Sequence, residues 1–206
     1  MFWFSKGARL KRKLGPPVIV VSGLPRSGTS MMMKMLGAAE LDVVTDEIRT
    51  ADEDNPKGYF EYERVKELDK DGDKTWVIEH RGKVLKIISF LLKDLPDSCF
   101  YKVIFMRRNL EEVIASQNKM LLRRGESADG SDDEKMRQLY ANHLKKVDVM
   151  LESNPHFELL DVHYRQVVEN PAEQARRVSR FLGLKNCAAA MAGAVDDKLY
   201  RNRRQA

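Results

Sequence analysis

Residues 23 to 30 read Gly23-Leu24-Pro25-Arg26-Ser27-Gly28-Thr29-Ser30. One cation, three hydroxyls and two glycines within eight residues are a set that can surround an anion. Before them stand four consecutive β-branched residues, Val18-Ile19-Val20-Val21, bounded by Pro17 and Gly23. That run reads as a strand buried on both faces. The stretch from Ser30 to Leu36 has no β-branched residue and reads as a helix. At such a strand–loop–helix junction successive backbone N–H groups converge, and the helix start adds its positive end. Glycine lets the backbone approach closely. The ligand this suits is a phosphate, with Arg26, Ser27, Thr29 and Ser30 as side-chain donors.

A second junction follows the apolar run Tyr101–Met106. Arg108 sits near the start of a helix expected over 110–124, and Ser116 lies eight residues further on. Eight residues are a little over two turns, so both fall on about the same face. An arginine offers a forked, charge-assisted pair to a second phosphate, and a serine a neutral donor. Two carboxylates are candidates for a proton acceptor. Glu47 lies in Asp46-Glu47-Ile48-Arg49, and Glu61 ends Asn55-Pro56-Lys57-Gly58-Tyr59-Phe60-Glu61. A carboxyl group whose pKa is raised by burial takes a proton near neutral pH.

The spacing from Gly23 to Gly28 and the hydroxyl at Ser30 match the GxxxxGK[ST] loop of ATP and GTP enzymes, but Thr29 stands where that loop has its lysine. The cation has moved upstream to Arg26, which suits one terminal 5′-phosphate better than a triphosphate. Pro25-Arg26-Ser27-Gly28-Thr29-Ser30 resembles the 5′-phosphosulfate loop of the PAPS-dependent sulfotransferases, P-[KR]-S-G-T-[ST]. Arg108 and Ser116 resemble the pair that holds the 3′-phosphate of PAPS in that family. Tyr164-Arg165-Gln166-Val167-Val168-Glu169-Asn170-Pro171 and Phe181-Leu182-Gly183-Leu184 resemble its Y-[ED]-D-L…P…FLGL stretch, although Arg165 and Gln166 depart from the acidic pair. The resemblance runs from about residue 18 to 201.

The resemblance implies PAPS as sulfuryl donor, PAP as product and no metal. It implies in-line displacement by a hydroxyl or amine of a small-molecule or carbohydrate acceptor. It places Arg26 near the leaving-group oxygens, Tyr164 near the adenine, and Leu199-Tyr200-Arg201 in a basic segment that closes over the 3′-phosphate. The histidine base of the cytosolic members would fall in Lys86-Ile87-Ile88, where Ile88 cannot serve. His80 is off register and is read as a surface or capping residue. Glu47 resembles the glutamate of the tyrosylprotein sulfotransferases, and Glu61 lies in a stretch like one in the bacterial enzymes. Two other readings stand beside this one: a P-loop kinase of small metabolites, and a PAP- or PAPS-binding protein without catalysis.

These junctions need a scaffold. Strand-like runs at 18–21, 41–45, 83–89, 101–106 and 157–162 alternate with helical segments at 110–124, 134–152 and 171–182, and a shorter one at 63–70. That alternation predicts an α/β, three-layer, P-loop NTPase-like fold with a parallel sheet of about four or five strands flanked by helices. In such a sheet, ligands sit at the carboxyl ends of the strands, here the loops after 18–21, 83–89 and 101–106. A length of 206 residues suits one domain, expected over 17–206. Residues 1–16 are expected to be a loosely docked basic tail capable of weak contact with anionic lipid. The chain is 43% hydrophobic and 33% charged with a net charge of +5, a globular composition. It has no aromatic–basic alternation of the nucleic-acid binders. No apolar run is long enough to cross a membrane. Two cysteines, Cys99 and Cys187, are not a disulfide scaffold, and the expected location is the reducing cytoplasm. The oligomeric state has no signature here.

Overall fold

The structure is a computed structural model that describes residues 5–46, 60–70, 72–126, 130 and 132–196. Four parallel strands form one sheet: β1 (Val18–Gly23), β2 (Val84–Lys86), β3 (Tyr101–Arg107) and β4 (Phe157–His163), in the order β2-β1-β3-β4. All six residues of β1 are buried, as are the first six of β3, because helices cover both faces. Alternate side chains divide between two cores. Ile19, Val21, Ile104 and Met106 meet Met32, Met33, Met35 and Leu36 on one face. Val18, Val20, Val103 and Phe105 meet Trp76, Leu92, Val147 and Leu151 on the other.

In chain order the helices are α1 (Ser5–Leu14), α2 (Thr29–Ala38), α3 (Leu110–Arg123), α4 (Asp133–Ser153), α5 (Tyr164–Glu169), α6 (Pro171–Leu182) and α7 (Ala188–Gly193). Single 3-10 turns occupy Glu63–Glu67, Thr75–His80 and Ser89–Asp94. Helix α3 opens on Asn109, whose side chain accepts from the N–H groups of Glu111 and Glu112. The two glutamates of that turn complement the helix dipole. Helix α6 begins with Pro171 and stops at Gly183, whose φ is 75°, the asymmetry expected of helix ends.

The run at 41–45 is not a strand of the sheet. Val43 makes an isolated parallel bridge to Val84, and the Val44 N–H donates to the Val84 carbonyl at 2.9 Å. The chain then turns away, since the Asp46 carboxylate accepts from the Glu63 N–H at 2.6 Å. The described part of the basic segment at the start forms the helix α1. Lys11 pairs with Glu158 at 3.5 Å and lies 5.7 Å from the Phe100 ring centre, which sets α1 against the amino edge of the sheet.

Register brings the carboxyl ends of three strands level. Gly23 lies beside Met106, and Arg107 beside His163. Whatever follows β1, β3 and β4 therefore emerges on one rim. The sheet depends on Phe105, which is fully buried in β3. Phe105→Ala should lower unfolding free energy by about 3–5 kcal/mol, measured by urea denaturation; a loss below 1 kcal/mol would contradict this packing.

Candidate active site

The loop between β1 and α2 turns tightly. Gly23 has φ 148°, and a Cβ there would lie 2.7 Å from the Met106 carbonyl oxygen and 2.5 Å from Ser27 Oγ. Gly28 has φ 99°, and its Cβ would lie 2.4 Å from Tyr164 Cδ2. Both positions exclude a side chain, through backbone conformation and through neighbours. Arg26 adopts φ 67°, a left-handed conformation that costs a non-glycine residue of order 1 kcal/mol. Pro25 and Arg26 are half-buried and Ser27 is buried. Gly28, the residue that precedes α2, provides no side-chain cap, and the Met32 N–H donates to the Gly28 carbonyl at 3.2 Å. The N–H groups of Thr29, Ser30 and Met31 form the start of the helix, the end of a helix that favours an anion. Ser27 Oγ is buried and, among the described residues, has no hydrogen-bond partner. A buried hydroxyl of this kind ordinarily has one, so it fits a loop built around an acceptor such as phosphate.

Arg108, just before α3, is almost fully buried and tightly held. Its Nε donates to Glu112 Oε2 at 3.0 Å. Its Nη1 donates to the carbonyl of Arg26 at 3.0 Å, and its Cζ lies 4.4 Å from the Tyr164 ring centre. Ser116, two turns along α3 and buried, accepts from Arg26 Nε at 3.0 Å. The structure thus brings Arg26, Gly28, Arg108, Ser116 and Tyr164 together at one rim. Tyr164, where β4 gives way to α5, packs on both the Gly28 backbone and the Arg108 guanidinium. Glu47 and Arg201 lie outside the described residues.

Glu61 stands near this rim through the edge strand. Lys86, last residue of β2, is in register with Val21, two residues before Gly23. Its ammonium, buried in large part, pairs with Glu61 Oε1 at 3.5 Å. The Glu61 carbonyl accepts from the Asp46 N–H at 3.2 Å. Glu61 is held by a cation here. Lys86 and Glu112 were not singled out from sequence as site residues. Glu112 had a signal in its spacing, four residues after Arg108 on a helix face; Lys86 had one only through strand register.

The described histidines divide simply. His80 Nδ1 bonds the Trp76 carbonyl at 2.8 Å, the expected capping role. His156 Nδ1 meets the Cys99 carbonyl at 2.9 Å. His143 Nε2 meets Ser89 Oγ at 2.9 Å with its ring stacked on Phe90. Burial, with Lys146 alongside, lowers the His143 pKa and favours its neutral form.

A sequence profile described as the sulfotransferase family matches residues 59–187, more than half of the chain. The chain belongs to the sulfotransferase family. It is accordingly an enzyme of sulfuryl transfer. Among curated proteins no sequence matches significantly. Among solved structures, sulfotransferase STF1 from Mycobacterium tuberculosis H37Rv is 14% identical with a TM-score of 0.55, over 91% of this chain and 75% of that one. The sulfotransferase domain of the Synechococcus PCC 7002 olefin synthase is 15% identical with a TM-score of 0.53, over 90% and 80%. The sulfotransferase domain from the curacin biosynthetic pathway is 15% identical with a TM-score of 0.50, over 90% and 89%. At such identity these structures speak for the fold, which is the expected α/β, P-loop NTPase-like sulfotransferase fold. Among the described residues no helix is long and apolar enough to cross a membrane.

In this sulfotransferase Gly28→Ala should lower stability by about 1–3 kcal/mol, from the backbone strain and the Tyr164 contact together. The double variant with Tyr164→Ala should recover only the contact part. Urea denaturation of both measures this, and a Gly28→Ala variant as stable as the parent would contradict the loop geometry.

Proposed function

We propose that the chain moves a sulfuryl group from PAPS to a hydroxyl or amine of a small-molecule or carbohydrate acceptor, by in-line displacement, within one domain spanning 17–206. The observation that carries the reading is the direct contact between the two cationic junctions. Arg108 grips the backbone of Arg26, and Arg26 reaches Ser116, so both phosphate sites belong to one cleft. PAPS, when bound, supplies the activated sulfuryl group.

The chain's own residues supply recognition and charge. Pro25 to Ser30 would wrap the 5′-phosphosulfate, using the buried Ser27 hydroxyl, Thr29, Ser30 and the N–H groups of the first turn of α2. Arg108 and Ser116 would hold the 3′-phosphate, the group that distinguishes this nucleotide from ATP. Tyr164 would flank the adenosine, and Arg201 would close over the 3′ side. Arg26, which bonds Ser116 through Nε, would lie near both phosphates, and its charge would stabilise the leaving-group oxygens. Glu61, beside the Lys86 ammonium, and Glu47 are the two candidates for the group that takes the proton of the acceptor hydroxyl. The cysteine usage favours a reducing compartment, and we place the enzyme in the cytoplasm.

Calorimetric titration should show PAP bound in preference to ATP and GTP; preference for ATP would move the assignment to a kinase. Arg108→Ala should weaken PAP binding at least tenfold and AMP binding less. Equal losses would remove the 3′-phosphate role. Arg26→Ala should lower turnover more than PAP affinity, since an interaction made mainly in the transition state appears in kcat. In a sulfate-release assay with Glu61→Gln and Glu47→Gln, the variant that loses turnover while keeping PAP affinity identifies the base. Release unchanged in both would exclude both carboxylates.

A further inference from the structure

The junction that sends Arg108 into the cleft carries two arginines in succession, Arg107 and Arg108. Side chains alternate along a strand. Phe105 and Arg107 therefore share one face of β3, and Met106 takes the other. Phe105 belongs to the core beneath α4, and Met106 to the core beneath α2. Arg108 turns to the side of Met106, where the Tyr164 ring lies. Two like charges adjacent in the chain are thus parted by the sheet.

Arg107 is held from two elements. Its Nε donates to Asp161 Oδ1 of β4 at 2.6 Å, and its Nη2 to Asp148 Oδ1 of α4 at 2.5 Å. Its Cζ lies 4.3 Å from the Phe105 ring centre, and the side chain is only 18% exposed. The Asp161 carbonyl in turn accepts from Arg177 Nη2 of α6 at 3.3 Å. An isolated ion pair at a surface contributes little. A planar fork shared by two carboxylates and laid on an aromatic ring is a fixed arrangement, for which lysine has no equivalent.

Helix α4 and strand β4 are held in place without this clamp. Val147 and Leu151 of α4 pack in the core, and β4 pairs with β3 from Phe157 to His163. The clamp acts at the end of the strand. The ladder between β3 and β4 stops at Arg107 and His163, and Arg108 is the first residue beyond it. The direction in which Arg108 leaves the sheet therefore depends on how firmly Arg107 is held. A binding group displaced by more than about 0.5 Å loses its geometry.

We propose that Arg107 is a positioning residue for nucleotide binding: clamped by Asp148 and Asp161, it sets the placement of Arg108 and so the recognition of the 3′-phosphate. This inference rests on the assignment of PAPS as the donor.

The test is calorimetric titration of PAP and AMP on the full chain, with thermal unfolding of each variant. Asp148→Asn with Asp161→Asn keeps the shape of the clamp and removes its charge. Acting through space alone, the loss of two negative charges would favour an anion, and PAP, with the larger charge, more than AMP. A positioning role gives the opposite sign. PAP affinity should fall about tenfold, a part of the worth of one charged hydrogen bond, and AMP affinity much less. Arg107→Lys keeps the net charge and loses the fork, so it should lower the PAP-to-AMP preference in the same direction. A preference unchanged or raised in both variants would overturn the proposal. Equal losses for PAP and AMP with a lowered melting temperature would overturn it too, since they report a general loosening of the fold. A parent chain without preference for PAP over AMP would overturn the PAPS assignment and this inference together. A parental preference kept by the clamp variants and abolished by Arg108→Ala would overturn this inference alone.

Discussion

The bond from Arg108 to the carbonyl of Arg26 is the constraint on which the cleft depends. Arg26 holds a left-handed backbone conformation that a non-glycine residue does not favour, and its carbonyl faces a buried guanidinium. That guanidinium is itself fixed by Glu112 on one side and the Tyr164 ring on the other. Removing any one partner leaves a buried charge or a strained turn without its compensation, which is why three strand ends act as a unit. An arginine suits this place because its planar fork bonds a carboxylate and a carbonyl while its face lies on an aromatic ring.

The charge arrangement follows the same economy. Glu112 offsets Arg108 inside the protein, and Lys86 and Glu61 offset each other at the edge of the sheet. Buried cations without such partners are destabilising. An anion reaching this rim would meet positive charge that is already ordered, so less side-chain entropy is lost on binding. Arg26, joined to Ser116 through Nε, links the loop to α3 and thereby couples the two junctions mechanically.

Much of this was legible in sequence because the signals were local. The β-branched run before Gly23 could only be covered on both faces, and it is. The Asn109 cap, Pro171 and Gly183 mark helix ends by chemistry that does not depend on the rest of the chain. Other features were less visible. The run at 41–45 has strand-like residues, but Asp46 ties the chain to Glu63 and leaves only a bridge at Val43. The segment before β1 reads as a tail by composition, yet α1 forms and rests on the sheet through Lys11. Helices α5 and α7 are six residues each, too short to show a period.

The sequence by itself determined the residue types and spacing of the loop from Gly23 to Ser30, the eight-residue spacing of Arg108 and Ser116, and the parallel α/β class. Those properties reside within single segments, where covalent spacing and helical or extended geometry decide them. Only the tertiary structure decided that Arg108 holds Arg26, that Tyr164 packs against Gly28, and that Lys86 reaches Glu61. Each of these depends on strand register across the sheet. Sliding one parallel strand past its neighbour by a single residue would send every side chain to the other face, and no local pattern along the chain records that alignment.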